Sequence, residues 1–155
     1  KLIPLMIINC ISEKKLPVYG NGKNVRDWLY VHDHCDAIYD VIKFGKIGET
    51  YLIGGNNELE NIEIVKMICS IMDEKIPRPN GNAYSELINF VDDRPGHDER
   101  YAINFNKIQT DLKWQPKEDF RLALNKTIDW YLENEGWWRK IQKNNYNQER
   151  LGKNQ

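Results

Sequence analysis

Two arginines in this sequence stand in settings that suit a phosphorylated ligand. In the stretch Val25-Arg26-Asp27-Trp28-Leu29-Tyr30-Val31, read as a strand, Arg26, Trp28 and Tyr30 share one face while Val25, Asp27, Leu29 and Val31 share the other. An arginine flanked by two aromatics presents a cationic fork beside flat apolar walls, which suits a nucleotide. An edge-strand arginine capping an ordinary aromatic cluster is the other reading of that face. Arg94 lies in the charged turn Asp93-Arg94-Pro95-Gly96-His97-Asp98, where Pro95-Gly96 fits the centre of a type II turn. Holding an Arg and a His among carboxylates on a rigid turn costs charge crowding, although a solvated turn has the same composition. Two separated arginines could clamp the two phosphates of a diphosphate, each with a bidentate fork.

Other chemistry is missing. The sequence holds no Gly-x-Gly-x-x-Gly loop, no phosphate-loop motif and no His/Cys set spaced like metal ligands, and His32 and His34, two apart, would diverge on a helix. Tyr39 and Lys43 match a Tyr-x-x-x-Lys pair in which lysine lowers a phenol pKa. Among eight tyrosines, about one such match arises by accident. Tyr39 also falls on an apolar helical stripe with Cys35, Ile38 and Ile42, so it reads as core and Lys43 as surface.

The length fits one domain with a real core, and 22 Lys and Arg against 23 Asp and Glu leave no basic footprint for nucleic acid. Cys10, Cys35 and Cys69 are odd in number and lack a Cys-x-x-Cys pair, which fits a reduced, cytoplasmic setting. No apolar run is long enough to span a bilayer and no signal-peptide layout opens the chain, so no membrane partner is expected. The chain begins at Lys1, directly in a helical pattern, and reads as a piece of a longer protein.

The elements that must position these residues follow from the pattern. Leu2 to Ile11 predicts a buried helix with Pro4 in its first turn, and Asn21-Gly22 predicts a two-residue type I′ hairpin between strands starting at Leu16 and Val25. Asp33 is placed to cap a helix reaching about Phe44, Glu49–Ile53 reads as a strand, and Asn61 as the N-cap of a helix through Met72. Short strands are expected at 88–91 and 101–103, and a small helix carrying Ile108 and Leu112 capped by Asn104 or Asn106. The longest helix is expected from Asp119, stopped near Gly136, with a polar tail from Lys143. This order argues for an α/β unit running into a smaller lobe.

Taken together, the Lys1–Met6 run, Leu16-Pro17-Val18-Tyr19-Gly20 with Arg26-Asp27-Trp28-Leu29-Tyr30-Val31, Gly48-Glu49-Thr50-Tyr51, Gly54-Gly55, Asn61, and Asp93 to Asp98 with Arg100-Tyr101 resemble the dTDP-glucose 4,6-dehydratase family of the extended short-chain dehydrogenase/reductases. The resemblance covers Lys1 to about Lys140. It implies the C-terminal part of a Rossmann-like NAD(P)-binding fold with a smaller mixed α/β substrate lobe over 1–142 and a tail over 143–155. It implies an NAD-dependent lyase of deoxysugar (rhamnose-type) biosynthesis that oxidises a dTDP- or UDP-glucose at C4, removes water across C5 and C6 and returns hydride to C6. NAD and the catalytic residues would then lie mainly in a part preceding Lys1, the isolated segment would be inactive, and the intact enzyme would be a homodimer. By the same resemblance Lys1 and Leu2 contact substrate; Pro17, Val18 and Tyr19 wall the base; Arg26 and Arg94 hold the diphosphate; Asn61 adds a polar contact; and Asp93, Pro95, Gly96 and His97 shape the turn presenting Arg94. For Asn61 a plain N-cap is the alternative. The sequence departs from the family at His32, where an acid is usual, and at Asn21, where Asp is common, which bears on base preference more than on reaction type. A sugar-nucleotide epimerase or decarboxylase, or a non-catalytic nucleotide-sugar binding module, are the rival readings.

Overall fold

Helix α1 (Leu2–Ile11) leads into strand β1 (Leu16–Tyr19), followed by β2 (Val25–Asp27), α2 (Val31–Phe44) and β3 (Glu58–Glu60). Then come α3 (Asn61–Lys75), a 3₁₀ turn (Tyr84–Leu87), β4 (Ile88–Val91), α4 (Asn106–Leu112), α5 (Phe120–Glu133) and α6 (Glu135–Asn145). The computed structural model describes residues 1–145. They form two units, the first from residues 1–23, 61–97 and 125 onward, the second from 24–60 and 98–124.

The first unit is a β-α-β crossover. The apolar run of α1 buries Met6, Ile7 and Cys10 completely, with Pro4 in the first turn as expected. A Schellman turn ends the helix: Glu13 takes a φ of 49°, and the N–H groups of Glu13 and Lys14 return to the carbonyls of Cys10 and Asn9 at 3.0 and 2.9 Å. In β1 burial alternates, so Leu16 and Val18 enter the core while Pro17 and Tyr19 stay half-buried. The strand pairs in parallel with β4, Leu16 opposite Ile88, and α3 is the crossover helix. Ile64, Val65, Ile68, Ile71 and Met72 recur at helical spacing and are buried, each such side chain contributing about 1.5–3 kcal/mol. Cys10 and Cys69 meet between α1 and α3, where a shared thiol hydrogen bond and burial push the Cys10 pKa up.

The second unit is built on a shorter frame. Strand β2 runs antiparallel to β3, with Arg26 opposite Leu59, and a parallel bridge joins Val25 to Arg100. Its buried cluster is Ala37, Ile108 and Trp114, with Leu29, Val41 and Phe105 against it.

Several expectations are corrected. There is no 16–31 hairpin: β1 and β2 belong to separate sheets, and Gly20 and Gly22, not Asn21, take the positive φ. The long-range pairing of β1 with β4 wins over the local turn signal, and β2 stops at Asp27. Asp33 is not a cap. Tyr30 holds that position, and buried Asp33 accepts the Glu118 N–H at 3.3 Å. The α2 stripe is inverted: Ala37 is buried while Cys35, Ile38, Tyr39 and Ile42 are exposed, so Tyr39 is not core. Apolar residues occupy more of this helix than the small cluster beneath it can cover. Residues 49–53 and 101–103 form no strand, and Glu58–Glu60, for which the sequence predicts no element, does because β2 offers it a partner edge. Helix α3 begins at Asn61 itself and, at 15 residues, exceeds the 14 of α5; Gly136 lies inside α6. The helix α6 also reaches past Lys143, and the rest of the expected tail lies outside the described residues.

Candidate functional site

In the first unit the parallel pairing of β1 and β4 sets the geometry. Gly20, just past β1, donates its N–H to the Val91 carbonyl at 2.8 Å, which brings the turn after β4 alongside. Gly20 has a φ of +56°, and a Cβ there would come within 2.9 Å of Asp93 Oδ2, so glycine lets the carboxylate close in. Asp93 Oδ1 accepts from His97 Nδ1 at 2.6 Å and from the Arg94 backbone N–H at 2.8 Å. The first contact places a proton on Nδ1. It also holds the Asp93 carboxyl below the usual carboxylate range. The His97 side chain is 7% exposed and lies edge-on to Tyr19, ring centroids 6.3 Å apart. Gly96 takes a φ of +67°, as the expected type II turn requires, and Arg94 and Pro95 are exposed. An open depression beside this turn is lined by Gly20, Phe90, Val91 and Asp92.

The other predicted contacts of this unit are placed as follows. Val18 points its side chain into the core, leaving Pro17 and Tyr19 as the side chains of β1 that a base could meet. Half-buried Asn61 opens α3 next to Ile62, whose N–H reaches the Gly22 carbonyl at 3.0 Å, so the start of α3 is tied to the turn after β1. Lys1 is exposed at the N-cap of α1, and Leu2 is half-buried.

Arg26 belongs to the second unit. Its guanidinium donates from Nη1 to the Val25 carbonyl at 2.6 Å and from Nη2 to the Asp98 carbonyl at 2.9 Å, and its centre lies 4.5 Å from the Tyr101 ring centroid. Both hydrogen-bond partners are backbone carbonyls, which orient the positive charge without cancelling it. The strand carrying it is anchored by Asp27, whose carboxylate accepts the N–H groups of Gly55 at 2.8 Å and Asn57 at 3.0 Å. Trp28 and Tyr30 lie beyond the end of β2, the indole N–H of Trp28 on the Leu59 carbonyl at 3.2 Å and Tyr30 beside His32, and the ring beneath the Arg26 guanidinium is that of Tyr101. Sequence reasoning did not single out Tyr101 or Asn24, which the structure sets against Arg26 and Asp98, or Gly20, which it sets against Asp93. Tyr101 is 75 residues from Arg26 in the chain and carries no local signal; only its place in the Arg100-Tyr101 motif marked it.

The residues present do not fit a dinucleotide. Gly20-Asn21-Gly22 runs into strand β2, and among the described residues no glycine-rich loop leads from a strand into a helix N-terminus, the arrangement that cradles a pyrophosphate. No group of three metal-ligating side chains occurs among the described residues.

The family model described as GDP-mannose 4,6 dehydratase matches residues 1–127 of the chain. The dTDP-glucose 4,6-dehydratase of Escherichia coli is 54% identical over 154 residues, which cover 98% of this chain and 42% of that protein. Among solved structures, dTDP-glucose 4,6-dehydratase from Bacillus anthracis in complex with NAD superposes with a TM-score of 0.79 at 46% identity, covering 91% of this chain and 42% of that one. The enzyme of the same name from Streptomyces venezuelae, also with NAD bound, gives 0.81 at 38% identity over 91% and 41%. The chain thus spans less than half the length of the curated relatives it matches. The fold is the Rossmann-like mixed α/β class that the sequence implied.

Proposed function

Because the chain belongs to the GDP-mannose 4,6 dehydratase family, we propose that it supplies the nucleoside-diphosphate site of an NAD-dependent dTDP-glucose (or UDP-glucose) 4,6-dehydratase. The whole protein would be a cytoplasmic homodimer acting in deoxysugar biosynthesis, with NAD and the reacting carbons handled mainly outside this chain. What supports the reading is Arg26. A guanidinium fixed on two carbonyls and an aromatic ring, with no carboxylate among its hydrogen-bond partners, is a prepared seat for a phosphate. In the first unit, taken by itself, Tyr19 and Pro17 present flat apolar surface and Arg94 an exposed cation, the groups that the family resemblance assigns to base and diphosphate. Binding energy from base and diphosphate, remote from the sugar carbons, then holds the sugar in place for reaction.

Calorimetric titration of thymidine diphosphate into the Arg26→Ala protein, with folding checked independently, tests this. The expected loss is about 1.5–3 kcal/mol, the range for a hydrogen-bonding partner to a charged group. Wild-type affinity in a well-folded Arg26→Ala protein would overturn the reading.

A further inference from the structure

The four residues after His97 are tied closely to β2. Val25 donates its N–H to the Glu99 carbonyl at 2.8 Å and accepts that of Tyr101 at 3.1 Å. Buried Asn24 donates from Nδ2 to the Asp98 carbonyl at 3.1 Å, and the same carbonyl takes the Arg26 Nη2 bond at 2.9 Å. The Tyr101 hydroxyl donates to the Asp98 carboxylate, which fixes the ring, and the Arg26 guanidinium lies over that ring at 4.5 Å. We propose that Tyr101 is a positioning residue: its ring, keyed by Asp98, is the platform that holds the Arg26 fork ready for the diphosphate of a nucleotide ligand. The proposal rests on the diphosphate reading above and adds to it the residue through which Arg26 is aimed.

The guanidinium itself shows why a platform matters. Of its five N–H donors, one goes to Val25 and one to Asp98, and three remain for a ligand. Two bonds to carbonyls constrain the plane at one edge, and a ring against its face removes the rotation that would swing the free donors away. A carboxylate in the same place would hold the arginine as firmly but would spend its charge and two of its donors. Tyr101 is 53% exposed, so a change there leaves the buried cluster of the unit alone.

The experiment uses the intact protein and titrates thymidine diphosphate and thymidine separately into wild type, Tyr101→Leu, Tyr101→Phe and Arg26→Ala, with thermal midpoints in parallel. Tyr101→Leu is expected to weaken the diphosphate roughly three- to thirtyfold and leave thymidine unchanged. Tyr101→Phe keeps the ring and should stay within about twofold of wild type, and Tyr101→Leu added to Arg26→Ala should cost nothing further. Tyr101→Gln, which also lacks the ring, replaces the leucine variant if that protein does not fold. An equal loss for thymidine and diphosphate would mean general damage to the fold and overturn the proposal. Unchanged diphosphate binding in Tyr101→Leu, with a loss in Arg26→Ala, would overturn the platform while leaving the diphosphate site standing. No loss in Arg26→Ala would remove both.

Discussion

In the second unit Arg26 sits on a strand with its guanidinium laid over Tyr101 and bonded to two backbone carbonyls, whereas in the first unit Arg94 projects from an exposed turn whose internal bonds fall on its neighbours Asp93 and His97. The sequence suggests a symmetric clamp of two equal forks. The structure makes them unequal in kind. Arg26 is ordered by the fold before any ligand arrives, whereas on the proposed reading Arg94 would be ordered by the ligand. Immobilising a long side chain on binding costs about 0.5–1.5 kcal/mol, so the two arginines should differ in net contribution by an amount of that size even where their contacts are alike.

The largest expected effect strikes the frame that orders Arg26. Gly55 is buried, and a Cβ there would stand 2.1 Å from the Trp28 carbonyl oxygen, with the Asp27 carboxylate at 3.1 Å. Backbone cannot step aside as a side-chain tip can. Gly55→Ala should therefore cost about 3 kcal/mol of stability, the upper part of the overpacking range. Urea unfolding measures it, and a shift under about 1 kcal/mol would show that the Asp27–Gly55 contact does not anchor the strand under Arg26.

A smaller effect separates the two arginines directly. Lysine in place of Arg26 gives up the fork, both carbonyl bonds and the flat face on Tyr101, while lysine in place of Arg94 gives up only the fork presented to the ligand. Arg26→Lys should weaken thymidine diphosphate binding by about 1–2 kcal/mol, consistent with two modest hydrogen bonds lost. Arg94→Lys should cost less than that. Equal losses in calorimetric titration would erase the distinction between an arginine fixed in advance and one recruited by the ligand.

What the sequence disclosed follows the same division. The first unit was legible where its signals are local and strong: α1 and α3 carry unbroken helical periodicity, Pro95-Gly96 names its turn, and the chain breaks at Pro77 and Pro79 fall where α3 has ended, whereas β1 was misread as half of a hairpin because its partner is the distant β4. The second unit was misread wherever an element depends on a distant partner. Glu58–Glu60 has no strand-like composition and becomes one only because β2 is there to pair with it. Residues 49–53 have strand composition and, among the described residues, pair with none. Tyr39 sits on an apolar stripe yet is 58% exposed, since periodicity reports which face is apolar and not whether anything covers it. Arg26 and Arg94 were singled out from their types and neighbours. The device that holds Arg26 was not, because Tyr101 reaches it through folding and not through sequence proximity.

The smallest expected effect belongs to the turn and is confined to acid. Asp93 keeps a depressed pKa because its carboxylate accepts the His97 Nδ1–H. A carboxyl whose folded pKa lies below its unfolded value contributes stability that is fully present above the unfolded value, about 3.9, and is lost as pH falls through the folded one. Wild type should therefore exceed Asp93→Asn in thermal midpoint from neutral pH down to the ordinary carboxylate range, and the two curves should converge below it. The Asp93 side chain is 43% exposed, so solvent screens the pair and the gap at neutral pH should stay within about 1 kcal/mol. The convergence also sharpens the contrast between the two sites, because Arg26 is held by carbonyls that do not titrate. In titrations of thymidine diphosphate near pH 4 and below, the contribution lost with Asp93 protonation should be the one that Arg94→Ala removes, and not the one that Arg26→Ala removes. Midpoint curves for wild type and Asp93→Asn that run parallel down to pH 3 would show that the His97 contact does not brace the turn.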